Sequence, residues 1–357
     1  MLLTLEGCLD RQRRLRALLS EQRMDAAMIV HPHHIHLLSG WWMRPIFQPV
    51  LLITPDRSVL ALPCATDDPA AVDERIAYVG SKKSTIVDDQ YAEAIRVLEP
   101  ALKGIANLAI DQVPGALLSS DMKLHDLGPM LRQIKRTKLA DEIEILRKAI
   151  SGAARAFAWV RQNLSPGVNE IDVYNGCHAA AVKAVGEPIG EFGNDFTSGG
   201  EGGAPRDRAV KSGELYVLDL GVTLRGYSSD LCRTFAISKP TEPQLTAQRK
   251  CAEALEYVQS AAKPGVSCAK LHDDVIKMLD GFNGWSFGHH LGHGIGIFPH
   301  ESPRLNNQWD DTLREGDVFA CEPGLYGAEL MTGIRIEDDF VVTATGVEKL
   351  SDIPREI

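Results

Sequence analysis

The 357-residue chain has no C-x-x-C pair, no long apolar run, no basic tract and few aromatics (6%). Each gap excludes something. Seven cysteines stand scattered at 8, 64, 177, 232, 251, 268 and 321, so neither a thiolate metal site nor a disulfide scaffold is expected, and a reducing, cytoplasmic setting is. No apolar stretch approaches the roughly 20 residues of a membrane-spanning helix, so no membrane association is expected. The N-terminus "MLLTLEGCLDRQRRLRALLSEQR" carries an early acid and reads as an amphipathic helix rather than a signal peptide. Net charge is −10, and no basic stretch is interleaved with aromatics, so nucleic acid is not an expected partner. Histidine is missing too, from the whole segment between His178 and His272.

What is present describes two α/β-type parts. Residues 1–133 alternate helix (10–22), strand "DAAMIV", a His-rich turn, strands "PVLLITP" and "VLALP", helix (88–103), strand "NLAI" and helix (120–131). That is a small α/β domain. A charged segment near 133–140 then opens a long helix and a second domain, 134–357. This part repeats itself: "AFAWVRQNLSPGV" (156–168) and "ALEYVQSAAKPGV" (254–266) share A-x-x-[WY]-V-x5-P-G-V at an offset of 98. Each copy predicts a helix ended by Pro-Gly, a second amphipathic helix (169–184 and 267–280), and strands carrying paired acids.

The first acid pair lies in "YVLDLGVTLRGYSSDLCRTF" (216–235), where strand-like runs flank "LRG". A turn centred on Leu224–Arg225 would set Asp219 opposite Asp230. Like charges facing across a sheet repel, so the pair is either solvated or held by a cation. The second copy repeats the arrangement in "DVFACEPGLY" and "GIRIEDDFVVT", where a turn centred on Glu329–Leu330 sets Glu322 opposite Glu337. Between the two lies "GHHLGHGIGIFPHE" (288–301), whose glycines suggest close backbone approach to a ligand. Four carboxylates and an imidazole carry about four negative charges, which two dications would neutralise on burial. Oxygen-rich ligation with one nitrogen suits Mn²⁺, Co²⁺ or Fe²⁺, with Zn²⁺ also admissible.

In these motifs the chain resembles the pita-bread metallopeptidases of the M24, creatinase type, in the two-domain layout of prolidase and aminopeptidase P. The resemblance implies an α+β fold, with a creatinase-like N-terminal domain and a duplicated pita-bread catalytic domain. It implies two divalent ions on Asp219 (D-x-G), Asp230 (S-D-x-x-R-T), His293 (G-H-G-I-G), Glu322 (E-P-G-x-Y) and Glu337 (G-x-R-I-E-D). It implies His300 and Glu322 as catalytic groups, Glu322 moving the proton, with His289 on the substrate side. His300 and Arg335 would steady the reacting group or a substrate carboxylate. A homodimer is also implied, in which "HPHHIHLLSGWWMRP" (31–45) approaches the neighbouring site. There Trp41 and Trp42 would stack on a ligand and Arg44 would hold a carboxylate, or all three would be interface, core and surface residues. The H-x-H-H-x-H run invites a second metal site, but it falls in a helical turn feeding "LLSG".

The chain also departs from the family. His290 and Pro299 stand where smaller or β-branched residues are usual, and Arg206 follows Pro205 where the peptidases have a histidine. An arginine only donates hydrogen bonds, whereas imidazole also accepts. The expectation is therefore an Xaa-Pro dipeptidase-like hydrolase in which Arg206 or Arg208 takes part of the loop's role and Xaa-Pro cleavage is weak. The alternatives are a relative acting on a small carboxylated molecule by C–N hydrolysis or a lyase reaction, and a module acting through protein partners.

Overall fold

The computed structural model describes all residues except 1–2, 43–45, 81–86 and 118–120. It divides into two compact units, Met1–Lys135 and Arg136–Ile357.

The first unit is built on a six-stranded mixed sheet. Its order is Glu74–Ala77, Ser58–Leu62, Val50–Ile53, Ala26–Ile29, Asn107–Ile110 and Lys123–Asp126. The four inner strands are apolar and almost wholly buried, and their runs announce them in the sequence. The two edge strands, "ERIA" and "KLHD", are polar and mostly exposed, and hydrophobic patterning misses both. The helix expected over 120–131 is accordingly corrected to the edge strand Lys123–Asp126 followed by the helix Gly128–Arg136. The His-rich turn is a helix, Pro32–Ser39. Proline opens it, His31 caps it by accepting from the His33 amide, and Gly40 ends it at φ 71°.

The second unit is a duplication. Helices Ala140–Asn163 and Glu170–Val185 precede a three-stranded sheet, ordered Cys232–Ala236, Leu215–Asp219, Asp195–Ser198. Helices Glu242–Ala261 and Cys268–Leu279 precede a five-stranded sheet, ordered Glu301–Leu305, Gly292–Gly294, Val318–Cys321, Asp338–Val342, Val347–Lys349. The Pro-Gly turns do the same job in both copies. Gly167 (φ 95°) and Gly265 (φ 86°) adopt the left-handed region, and their amides donate to Val210 O at 2.9 Å and Leu313 O at 2.8 Å. Return bonds from Val210 to Val168 and from Leu313 to Val266 complete each clasp.

The turn of the first acid hairpin differs from its expected position. It falls on Arg225–Gly226, both at positive φ (51° and 88°), as a two-residue hairpin requires. Tyr227 pairs with Leu224, so Asp219 faces Cys232 rather than Asp230. The pairing is displaced by two residues, and because side chains alternate with period two, both aspartates keep to one face. The second hairpin has the register that the odd spacing predicts. Cys321 pairs with Asp338 and Gly324 with Arg335, which sets Glu322 opposite Glu337.

Candidate metal centre

Four of the five candidate donors sit at or just beyond the end of a strand, and the fifth, His293, lies within a short one, so the backbone under each is fixed. Asp219 ends Leu215–Asp219, Glu322 follows Val318–Cys321, Glu337 precedes Asp338–Val342, and His293 is central in Gly292–Gly294. Asp230 leads into Cys232–Ala236. The two halves are joined where the donors meet: the Glu337 amide donates to Cys232 O at 3.0 Å. Beneath this joint lies Arg233, 1% exposed. It donates to Cys232 O (2.8 Å), Glu337 O (2.6 Å), Ile353 O (2.9 Å) and Asp338 Oδ1 (2.7 Å).

The donors converge. Asp219, Asp230 and Glu337 offer oxygens that lie within 4.8 Å of one another, as do donor atoms of His293, Glu322 and Glu337. His293 Nε2 lies 3.6 Å from Asp230 Oδ2 and 3.8 Å from Glu322 Oε1. All five residues are at most 9% exposed. Burial raises Asp230 and Glu337 well above the usual carboxylate range, reinforced by the neighbouring acids. Asp219 rises to about 6, because burial and the charges of Glu322 and Asp195 outweigh Arg335. Burial lowers His293 to about 4. Glu322 behaves differently: burial acts to raise it, but the His290 hydrogen bond and three nearby imidazoles hold it below the usual value.

This donor set fits divalent cations. Asp219 Oδ1, Glu337 Oε2 and Asp339 Oδ1 are buried without a hydrogen-bond partner, an arrangement that leaves carboxylate lone pairs unsatisfied unless a cation takes them. The four carboxylates and one imidazole of the set point the same way, with no thiolate among these converging donors.

The other candidates divide. His300 is part of the site: it groups with Asp230 and His293, its ring 3.9 Å from that of His293. It also lines, with Asn194, Thr223, Ser228, Ser229 and Asp230, a pocket of about 260 Å³. His289 lies 4.0 Å from Glu322 and is held by the His290 carbonyl (2.8 Å) and the Tyr326 hydroxyl (3.0 Å). Arg335 is at the site but is not open to a substrate carboxylate. Its guanidinium bridges Asp219, at 2.8 Å, and Asp195, and reaches the Tyr326 hydroxyl at 3.4 Å.

Arg206 is a correction. Its guanidinium donates to both oxygens of fully buried Glu170 (2.6 and 2.9 Å) and to Ser198 O (2.6 Å). Arg208 joins it through Ser198 and Glu214. Burial alone would raise Glu170, yet the Arg206 and Ser198 hydrogen bonds bring it down to about 2. Both arginines thus serve a buried carboxylate at the start of helix Glu170–Val185, which removes the ground for giving them the loop's catalytic part. Of the two readings of Trp41, burial favours the core one: it is 6% exposed. Trp42 stacks on His33 (centroids 5.8 Å, 28°), and Arg44 lies outside the described residues.

Sequence reasoning missed Asp195 and Asp339. Asp195 faces Asp219 directly across the sheet, and the Asp339 carboxylate accepts from the Asp230 amide at 3.2 Å. The acid run "EDD" was a signal for the second, whereas nothing local marked the first.

Comparison with known proteins agrees with this geometry. Residues 144–344 match the sequence model of metallopeptidase family M24. The Xaa-Pro dipeptidase of Pyrococcus furiosus is 28% identical over 360 residues, covering 98% of this chain and 99% of that protein. An uncharacterised peptidase of Bacillus subtilis is 31% identical over 244 residues, covering 67% and 68% of the two chains. Among solved structures, the X-Pro aminopeptidase of Thermotoga maritima superposes with a TM-score of 0.80 at 26% identity, covering 97% and 98%. The prolidase of Pyrococcus horikoshii shares the fold at a TM-score of 0.79 and 23% identity, covering 97% and 99%. Neither the non-peptidase reading nor the binding-module reading is favoured by these likenesses. The chain belongs to metallopeptidase family M24, and its α+β build is an N-terminal domain followed by a C-terminal pita-bread domain.

Proposed function

We propose that the chain is an Xaa-Pro dipeptidase working with two divalent ions, Mn²⁺, Co²⁺ or Fe²⁺ first and Zn²⁺ as an admissible fourth. Asp219, Asp230, His293, Glu322 and Glu337 would hold them. The observation that carries this is the set of buried, mutually close carboxylates with unpartnered oxygens; the Xaa-Pro dipeptidase likeness over nearly the whole chain supports the substrate class. When bound, divalent ions would polarise the scissile carbonyl and make water a nucleophile near neutral pH.

The chain's own groups supply the rest. Glu322, held ionised by its imidazole neighbours, is the acceptor for the proton released by attacking water and passes it to the departing amine. His300, on the wall of that pocket, can donate a hydrogen bond to the substrate carbonyl. Arg335 orients Asp219, and the Tyr326 hydroxyl orients His289.

The test is turnover after metal removal and replacement. Protein stripped by a chelator is expected to be inactive, and Mn²⁺, Co²⁺, Fe²⁺ or Zn²⁺ should restore hydrolysis of Xaa-Pro dipeptides in preference to longer Xaa-Pro peptides. Preference for the longer peptides would make it an aminopeptidase P-type enzyme, and no hydrolysis with any metal would reject the reading.

The proposal extends to assembly and location. A homodimer in which residues near 31–50 approach the partner is supported by Ile46, an apolar side chain left 59% exposed in that segment. Light scattering at assay concentration should give the dimer mass; a fully active monomer would contradict it. Seven free cysteines suit a reducing cytoplasm, and no helix among the described residues is long and apolar enough to cross a membrane.

A further inference from the structure

His290 enters the reading above only as one of the imidazoles that keep Glu322 ionised, yet it makes the shortest contact to any of the five donors from outside them that involves an imidazole. Its Nε2 lies 2.8 Å from Glu322 Oε1. His293 Nε2 reaches the same oxygen only at 3.8 Å, and His289 Nδ1 reaches Oε2 at 4.0 Å. A carboxylate oxygen accepts, so the His290 contact requires the proton on Nε2.

His289 cannot take over this role. Its Nδ1 faces the His290 carbonyl at 2.8 Å and must carry the proton there, which leaves Nε2 to accept from the Tyr326 hydroxyl at 3.0 Å. The backbone fixes His290 and Glu322 side by side. The Glu322 amide donates to Leu291 O at 2.9 Å, and Gly292 pairs with Cys321 in the neighbouring strands.

Nor is His290 placed as a sixth metal donor. It shares a 4.8 Å cluster only with His289 and Glu322, and in none does it meet Asp219, Asp230, His293 or Glu337. Its polar contact with the centre is the one to Glu322, and its ring lies 5.4 Å from that of His293, centroid to centroid.

We infer that His290 is a positioning residue: its imidazole N–H holds the Glu322 carboxylate in the orientation in which that side chain serves the metal pair. The inference rests on the reading of Glu322 as a metal donor. An acid already held by a 2.8 Å N–H···O contact loses less freedom when a cation binds, and outer partners of this kind typically govern metal affinity by about 10–100-fold.

The experiment titrates Co²⁺ alone into chelator-stripped protein and follows visible absorption. Wild type is compared with His290→Ala, with His290→Gln, whose amide N–H can still donate to Glu322, and with His290→Asn, a shorter companion should the alanine variant not fold. Dipeptide kcat and KM are read on the same samples. His290→Ala and His290→Asn are expected to bind Co²⁺ about 10–100-fold more weakly with the same absorption per bound ion, and His290→Gln to recover most of the affinity. Wild-type affinity in the alanine or asparagine variant would overturn the inference. So would loss of an ion with an altered band, which would make His290 a ligand itself. Wild-type protein that binds no Co²⁺ would instead reject the metal-site reading.

Discussion

Asp230→Asn is expected to abolish stoichiometric metal binding and dipeptide turnover together, while leaving the metal-free protein folded and at least as stable as wild type. Asp230 is 7% exposed, and burial, Asp219, Asp339 and Glu322 all act to raise its pKa. Without cations the cluster is a standing repulsion, so an isosteric amide relieves it instead of leaving a hole. The pH dependence has a definite sign. Asp230 and Glu337 are held well above the usual range and Asp219 at about 6. The folded metal-free protein therefore keeps protons that the unfolded chain releases near pH 4. Its stability is greatest below that pH, as far as these groups decide it, and declines as pH rises through Asp219's value and beyond. Asp230→Asn should flatten that decline. Metal at about 100 times its dissociation constant should stabilise wild type by about 2.7 kcal/mol and the variant not at all. Melting curves with and without metal check both statements; a variant that melts higher on adding metal would contradict them.

The second large effect concerns Arg335. Asp195 and Asp219 are directly opposed across the sheet, and the 11%-exposed Arg335 guanidinium is the cation between them. Removing one partner of a buried ionic group leaves uncompensated charge, at a cost of about 3–5 kcal/mol. Arg335→Met is expected to destabilise the metal-free protein on that scale, and less when metal is bound, because cations then neutralise Asp219. Asp195→Asn in the same chain should recover part of the loss. Chemical denaturation of the four proteins of this cycle reads the coupling directly. A cycle that is additive, or a loss equal with and without metal, would mean Arg335 is not the bridge.

Legibility in the sequence followed the range of the physics that sets each feature. Local, periodic signals served well: the buried strands of the first unit, the Pro-Gly clasps at Gly167 and Gly265, and the hairpin that opposes Glu322 to Glu337. The Asp219 hairpin was misplaced by two residues because "LRG" admits more than one turn centre, and only the positive φ of Arg225 selects one. Polar edge strands carry no apolar run to find. Arg206 was misread because its partner, Glu170, lies 36 residues away on a helix, and no spacing rule links a loop arginine to it. Trp41 stayed open between core and binding face because tryptophan serves both equally well, and only its burial favours the core. Asp195 went unseen because its partners, Asp219 and Arg335, come from separate strands of the two halves.

The most direct test is to count metal. Protein purified without chelator, reconstituted with Mn²⁺ or Co²⁺ and freed of excess ions, is measured by elemental analysis alongside Asp230→Asn. Two equivalents per chain in the wild type, with no stoichiometric metal in the variant, is the expected result. No stoichiometric metal in the wild type would contradict the account.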